Sequence, residues 1–219
     1  MAEAELGASL GATSRGGASE NVSGMDRARR SQENYVDVKP LAIPSVELAG
    51  EFRDTKDAVA FLYQYIGIVN VLCPEAASCI VLDIDGTILL NKSEETFAVA
   101  AIRDLSVSCA ERGIAIFVVT ARPDSNSGEN RRWTERQLKK CGIPEPARIF
   151  MRPEGEDYAE YKLRAREEIR RTHRIIVSCG DQFPDFTIAP PKNVSDGAII
   201  VAFMGDLNGS LALKLPAEN

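Results

Sequence analysis

No apolar run in this 219-residue chain is long enough to span a bilayer. The opening stretch MAEAELGASLGATSRGG also lacks the charged start and hydrophobic segment of a secretory signal. These two absences predict a soluble, intracellular protein with no membrane partner. Positive charge is not in excess either. The net charge is -6, which argues against general nucleic-acid binding, because attraction to phosphate drives that mode. Nucleic acid is therefore expected only as a substrate. Cysteine is scarce: Cys73, Cys79, Cys109, Cys141 and Cys179 are an odd number, with no CxxC pair and no ligand-like cluster. They read as reduced, small hydrophobes. Histidine occurs once, as His173 between a helix and a strand, a position that suits a structural role.

What is present divides the chain. Residues 1–35 are rich in Ala, Gly, Ser and Glu without an apolar period, and such a composition cannot offset its ordering entropy. We expect a disordered tail there, with Arg27, Arg29 and Arg30 as a short basic patch able to meet a partner. Residues 36–51, punctuated by Pro40 and Pro44, read as an extended connector, and residues 52–219 as the folded domain. Phe52, Val59, Leu62 and Ile66 recur at helical spacing. Strands and helices then alternate: SCIVLDI, a helix over EETFAVAAIRDLSVSCAERG, IAIFVV, a helix over NRRWTERQLKKCG, RIFM, a helix over YAEYKLRAREEIRR, and RIIVSC. AIIVAF and SLALKL follow, with Asn208-Gly209 as a turn between them. Regular alternation with continuous apolar strands predicts an α/β fold, a doubly wound, mainly parallel sheet with helices on both faces.

In such sheets ligands bind beyond the carboxyl ends of the strands. The first strand ends in Asp83-Ile84-Asp85-Gly86-Thr87. Two carboxylates two residues apart leave extended backbone on one side, and Gly86 permits a sharp turn after them, so Asp83 and Asp85 are expected to converge on one point. IAIFVV ends in Thr120, with Arg122 just beyond; RIIVSC ends in Gly180 and Asp181, with Asp185 four further on; Lys162 lies near the start of the helix between them. Acidic groups, a hydroxyl and an ammonium at one sheet edge suit phosphoryl transfer through an aspartyl-phosphate. One carboxylate attacks phosphorus, another handles the leaving group's proton, and Mg²⁺ is the natural ion for an all-oxygen site.

These residues resemble the haloacid dehalogenase (HAD) superfamily of phosphohydrolases, whose first motif is Asp-x-Asp-x-Thr. Thr120, Lys162 and Gly180-Asp181 with Asp185 correspond in order to its later motifs. DIDGTIL, TARP, YKLRAREEI, GDQFPDF and KLP further resemble the branch containing class B acid phosphatases and plant vegetative storage proteins. That branch usually carries Trp and Ser between the fourth-motif acids, where this chain has Phe183 and Pro184. The resemblance implies Asp83 as nucleophile and metal ligand, and Asp85 as general acid and base that also ligates through its backbone carbonyl. It implies Asp181 and Asp185 as further metal residues, Thr120 and Lys162 on the phosphoryl group, Arg122 as a substrate contact, and Mg²⁺ as cofactor.

Between Thr87 and Thr120 there is room for little beyond one helix, so at most a minimal cap is expected; the polar loop over residues 122–132 is a candidate lid. The arginines of residues 164–174, Arg166 among them, and the RRWTERQLKK run read as solvated helix faces. The expected activity is a Mg²⁺-dependent phosphomonoesterase acting on a small molecule or on a phosphate exposed on a macromolecule. The alternatives are a phosphatase dedicated to phosphoprotein or nucleic-acid ends, and a low-turnover binding or storage protein.

Overall fold

The computed structural model describes residues 50–73, 76–92, 95–124, 128–186, 198–203 and 210–216. The predicted tail, most of the connector and the Asn208-Gly209 turn lie outside the described residues.

Among the described residues, nine strands and four helices are arranged in the order β1 (Gly50–Phe52), α1 (Thr55–Leu72), β2 (Ser78–Leu82), β3 (Leu89–Lys92), β4 (Glu95–Ala98), α2 (Ala100–Glu111), β5 (Ala115–Asp124), α3 (Glu129–Lys140), β6 (Arg148–Pro153), α4 (Tyr158–Arg170), β7 (Arg174–Gly180), β8 (Ile199–Phe203) and β9 (Leu211–Lys214). A short 3₁₀ turn, Phe183–Asp185, follows β7. Seven strands form one sheet in the order β1-β8-β9-β7-β2-β5-β6. The pairs β2–β5, β2–β7, β5–β6 and β7–β9 are parallel, and β1–β8 and β8–β9 are antiparallel. The predicted α/β, mainly parallel architecture is therefore the one observed. The chain runs outward from β2 through β5 to β6, then returns to β7 on the other side of β2. That reversal opens a crevice at the carboxyl end of β2.

Alternation along β2 sends successive side chains to opposite faces. Ile80 and Leu82 join a core with Leu62 and Ile66 of α1, Ile102 and Leu105 of α2 and Leu138 of α3. Cys79 and Val81 join the opposite core, with Phe117, Phe150 and the α4 residues Tyr161, Ala165 and Ile169. Both faces are covered, which is why these strands read as continuous apolar runs. Two helices begin on aspartate caps. Asp54 accepts from Asp57 N at 2.8 Å, and Asp157 accepts from Ala159 N at 2.9 Å and Glu160 N at 3.0 Å. Each cap satisfies amide groups with no intrahelical partner and stabilises its helix by about 1 kcal/mol. The Asp157 cap also fixes where α4 starts, and so where Lys162 points.

Two boundaries differ from the sequence reading. Gly50 and Glu51, assigned to the connector, are strand residues: β1 pairs with β8 through Gly50–Val201 and Phe52–Ile199. The segment beginning at residue 94, assigned wholly to a helix, opens as β4, and α2 starts only at Ala100. β3 and β4 form a separate antiparallel hairpin, with Leu89 opposite Ala98 and Leu90 opposite Phe97. A hairpin as well as a helix thus fits between Thr87 and Thr120, because four residues suffice for each arm. No larger cap stands there among the described residues. Residues 125–127, the middle of the candidate lid loop, lie outside the described residues; Arg122–Asp124 continue β5, and Glu129 onward is α3.

Among the described residues, no helix is long and apolar enough to cross a membrane. Their cysteines are free thiols; Cys79, Cys109 and Cys179 are buried, whereas Cys73 and Cys141 are partly exposed. His173 packs edge-on against Phe117, with ring centroids 4.9 Å apart, as a structural residue would.

Candidate functional site

β2 ends at Leu82, and Asp83 makes one more ladder bond, its N–H donating to Cys179 O at 3.0 Å. The chain then coils at once. Ile84 O accepts from Thr87 N at 3.2 Å, Ile88 N at 2.9 Å and Leu89 N at 2.9 Å, and Gly86 N donates to Leu89 O at 2.9 Å. Gly86 takes φ +74°, the left-handed region in which a side chain is strained. A Cβ there would also lie 2.6 Å from Asp181 Oδ2.

This coil corrects the expectation that Asp83 and Asp85 converge. The inference required extended backbone through Asp85, but the turn already begins at Ile84. Asp83 is buried. The Asp85 carboxylate is 46% exposed and faces Arg122, which grips it at both oxygens: Nε to Oδ2 at 2.7 Å and Nη2 to Oδ1 at 2.6 Å.

The buried centre forms around Asp83. Lys162 Nζ donates to Asp83 Oδ1 at 2.7 Å and also to Asp185 Oδ1, so one ammonium joins two carboxylates from different parts of the chain. The Tyr158 ring, one turn earlier on α4, lies 4.8 Å from Lys162 Nζ. Asp185 is fully buried and its Oδ2 accepts from Gln182 N at 3.0 Å within the 3₁₀ turn. Gly180 is what lets that turn fold back, because a Cβ there would overlap the Asp185 side chain. Asp181 is also buried, and its Oδ2 accepts from Gln182 Nε2 at 3.0 Å. One carboxylate oxygen from each of Asp83, Asp181 and Asp185 lies within 4.8 Å of the others.

Burial pushes the Asp83 carboxyl up to about 7, aided by the Asp185 charge and opposed by Lys162. Burial likewise raises Asp181, against the hydrogen bond from Gln182. Burial works against the charge on Lys162, but the Asp83 and Asp185 charges outweigh it and its pKa is raised. Three carboxylates with one ammonium between two of them leave excess negative charge in a poorly solvated place. Such an oxygen donor set fits a hard divalent cation, which would balance that charge.

Thr120 is buried at the same strand edge, and its Oγ1 accepts from Arg122 N at 3.2 Å. The parallel register of β5 and β6 shifts just beyond it, between Thr120 and Pro123. Arg122 is held on three sides besides Asp85: Nη1 donates to Gln137 Oε1 at 2.7 Å and to Thr134 Oγ1 at 3.3 Å, and the guanidinium lies 4.8 Å from the Trp133 ring centroid. The structure thus brings Asp83, Lys162, Asp181 and Asp185 into one cluster. It places the Asp85 carboxylate with Arg122 in a neighbouring pair.

The sequence reading missed Tyr158, Trp133, Thr134 and Gln137, and it misplaced Arg166. Far from being a solvated residue, Arg166 is fully buried. The signal was available: Arg166 is one turn from Lys162 and next to Ala165, on the face that α4 turns to the sheet. Trp133, Thr134 and Gln137 had no such signal, since their link to Arg122 crosses a gap in sequence. Arg164 does sit on such a solvated face, paired with Glu156.

No curated protein matches the sequence. Among solved structures, the chain is similar to a class C acid phosphatase from Bacillus anthracis with tungstate bound, with 20% identity, 61% of this chain and 63% of that chain covered, and a TM-score of 0.52. It thus spans less than two thirds of that chain's length. A second structure of the class C acid phosphatase from Bacillus anthracis aligns with 21% identity over 62% of this chain and 67% of that one, with a TM-score of 0.46. A Pnkp1/Rnl/Hen1 RNA repair complex aligns with 16% identity over 50% of this chain and 38% of that one, with a TM-score of 0.41. At such identities the first likeness speaks to fold alone, and the other two carry no argument. The family model for HAD superfamily, subfamily IIIB (acid phosphatase) matches residues 90–202. This is more than half of the chain, and with the sheet topology and the strand-end carboxylates already in place, the chain belongs to subfamily IIIB of the HAD superfamily.

Proposed function

We propose that this protein is a Mg²⁺-dependent phosphomonoesterase that works through an aspartyl-phosphate on Asp83. The observation that carries the reading is the convergence of the Asp83, Asp181 and Asp185 carboxylates within 4.8 Å, with Lys162 bonded to two of them. A scaffold without turnover has no use for so costly an arrangement. Asp83, Asp181 and Asp185, with the backbone carbonyl of Asp85, would hold Mg²⁺; when bound, the ion neutralises charge on the carboxylates and on the phosphoryl oxygens.

In the first step an Asp83 oxygen attacks phosphorus, the bond from phosphorus to the ester oxygen breaks, and protonated Asp85 gives its proton to the departing alcohol. In the second, Asp85 as carboxylate takes a proton from water, whose oxygen attacks phosphorus; the bond to Asp83 breaks and inorganic phosphate leaves. Lys162 neutralises Asp83 and steadies the phosphoryl oxygens, as does the Thr120 hydroxyl. Arg122 fixes the orientation of Asp85, since its fork engages both oxygens and is itself anchored on α3.

Turnover of p-nitrophenyl phosphate by the purified protein tests the reading. Activity should appear with Mg²⁺, vanish with EDTA and be absent in Asp83→Asn. Full activity after exhaustive chelation, or in Asp83→Asn, would refute it.

A further inference from the structure

Arg166 is among the largest fully buried side chains of the described residues. It lies on α4 one turn beyond Lys162, and its Nη1 donates to the Lys162 carbonyl oxygen at 3.3 Å. Among the described residues its Nε and Nη2 have no hydrogen-bond partner. A guanidinium in this state is expensive, and an apolar side chain of similar length would fill the space at lower cost. Packing therefore does not account for it. The charges that act on it do: burial lowers its pKa to about 10, and the Asp185 and Asp83 carboxylates oppose that fall. The group remains a cation at neutral pH, buried one turn along α4 from the Lys162 that joins Asp83 and Asp185.

Without Arg166, the three carboxylates and Lys162 sum to two negative charges. With it the sum is one negative charge, and a bound divalent cation turns this into one positive charge facing an incoming phosphoryl group. We propose that Arg166 is a positioning residue that acts by charge: it limits how tightly the centre holds its divalent cation and raises the affinity of the loaded centre for phosphate. This inference rests on the phosphatase reading above. Its signature is that the two affinities move in opposite directions when the charge is removed, because a buried cation repels one ion and attracts the other. A side chain that merely supports the cluster would, on removal, weaken both.

The test is calorimetric titration of the whole chain at pH 8 with Mg²⁺ alone, then with inorganic phosphate in saturating Mg²⁺. In Arg166→Met the Kd for Mg²⁺ should fall and the Kd for phosphate rise, each by about tenfold, while Arg166→Lys, which keeps the charge, stays near wild type in both. If circular dichroism shows that the Met variant is unfolded, Arg166→Gln carries the same comparison. Parallel weakening of both ions, or no change in either, overturns the role assigned to Arg166. A wild-type chain that binds neither ion refutes the phosphatase reading itself, a result distinguishable from the first.

Discussion

Replacing Asp83 with Asn should make the metal-free protein more stable, and by an amount that depends on pH. The folded Asp83 carboxyl is raised from 3.8 to about 7, chiefly by burial. A group raised in the folded state contributes stability that is fully present below its unfolded pKa and is lost as pH rises through the folded one. The window here runs from about 4 to about 7. Across it the ionised carboxylate costs the folded protein about 3 pH units at about 1.4 kcal/mol each, or about 4 kcal/mol in all. Asparagine removes that cost but leaves Lys162 with Asp185 as its remaining carboxylate partner, which returns part of it. The net gain at pH 8 should be about 2 kcal/mol, shrinking to well under half of that at pH 4.5. Urea unfolding of both proteins in EDTA at the two pH values measures the difference. A variant less stable than wild type at pH 8, or a gain identical at both pH values, would mean that Asp83 is not held against its own desolvation. The same change should abolish turnover, so stability and activity would move in opposite directions at one atom pair.

Other consequences can be checked directly. Gly180→Ala forces a Cβ into the Asp185 side chain; it should cost about 1–3 kcal/mol in urea unfolding, and a loss below about 0.5 kcal/mol would show that the 3₁₀ turn yields easily. Asp181→Ala should raise the Mg²⁺ concentration needed for half-maximal turnover; an unchanged metal dependence would remove Asp181 from the ligand set. Arg122→Lys cannot form the two-pronged contact with Asp85, so kcat should drop about tenfold to a hundredfold. Because the Arg122 side chain is only 11% exposed and also bonds Thr134 and Gln137, urea unfolding should show a loss of about 1–2 kcal/mol as well, and a normal kcat would contradict the orienting role.

Much of this protein is determined by local pattern. The alternating apolar strands and amphipathic helices specify a two-faced sheet, because periods of two and of 3.6 residues each bury one face only when matched to their own element. The strand-end acids and hydroxyl were legible for the same reason, since Asp83, Thr120 and Asp181 follow apolar runs whose ends must lie at one sheet edge, and Lys162 near the start of the intervening helix follows from the same alternation. The first residues of β1 and the β3–β4 hairpin were not legible. In one case the pairing depends on a strand far along the chain, Gly50 with Val201, and in the other on an antiparallel register that takes Glu95–Ala98 out of a supposed helix. Tertiary structure alone decided how the acids divide. Asp83 and Asp85 share a motif and look equivalent in sequence, yet the coil begun at Ile84 sends one into the buried cluster with Lys162 and the other out to Arg122. It also decided the fate of Arg166, whose charge argues for solvent and whose place on α4 buries it one turn from Lys162. A side chain's environment, and hence its charge chemistry, is set by what packs against it, and that information lies in distant parts of the chain.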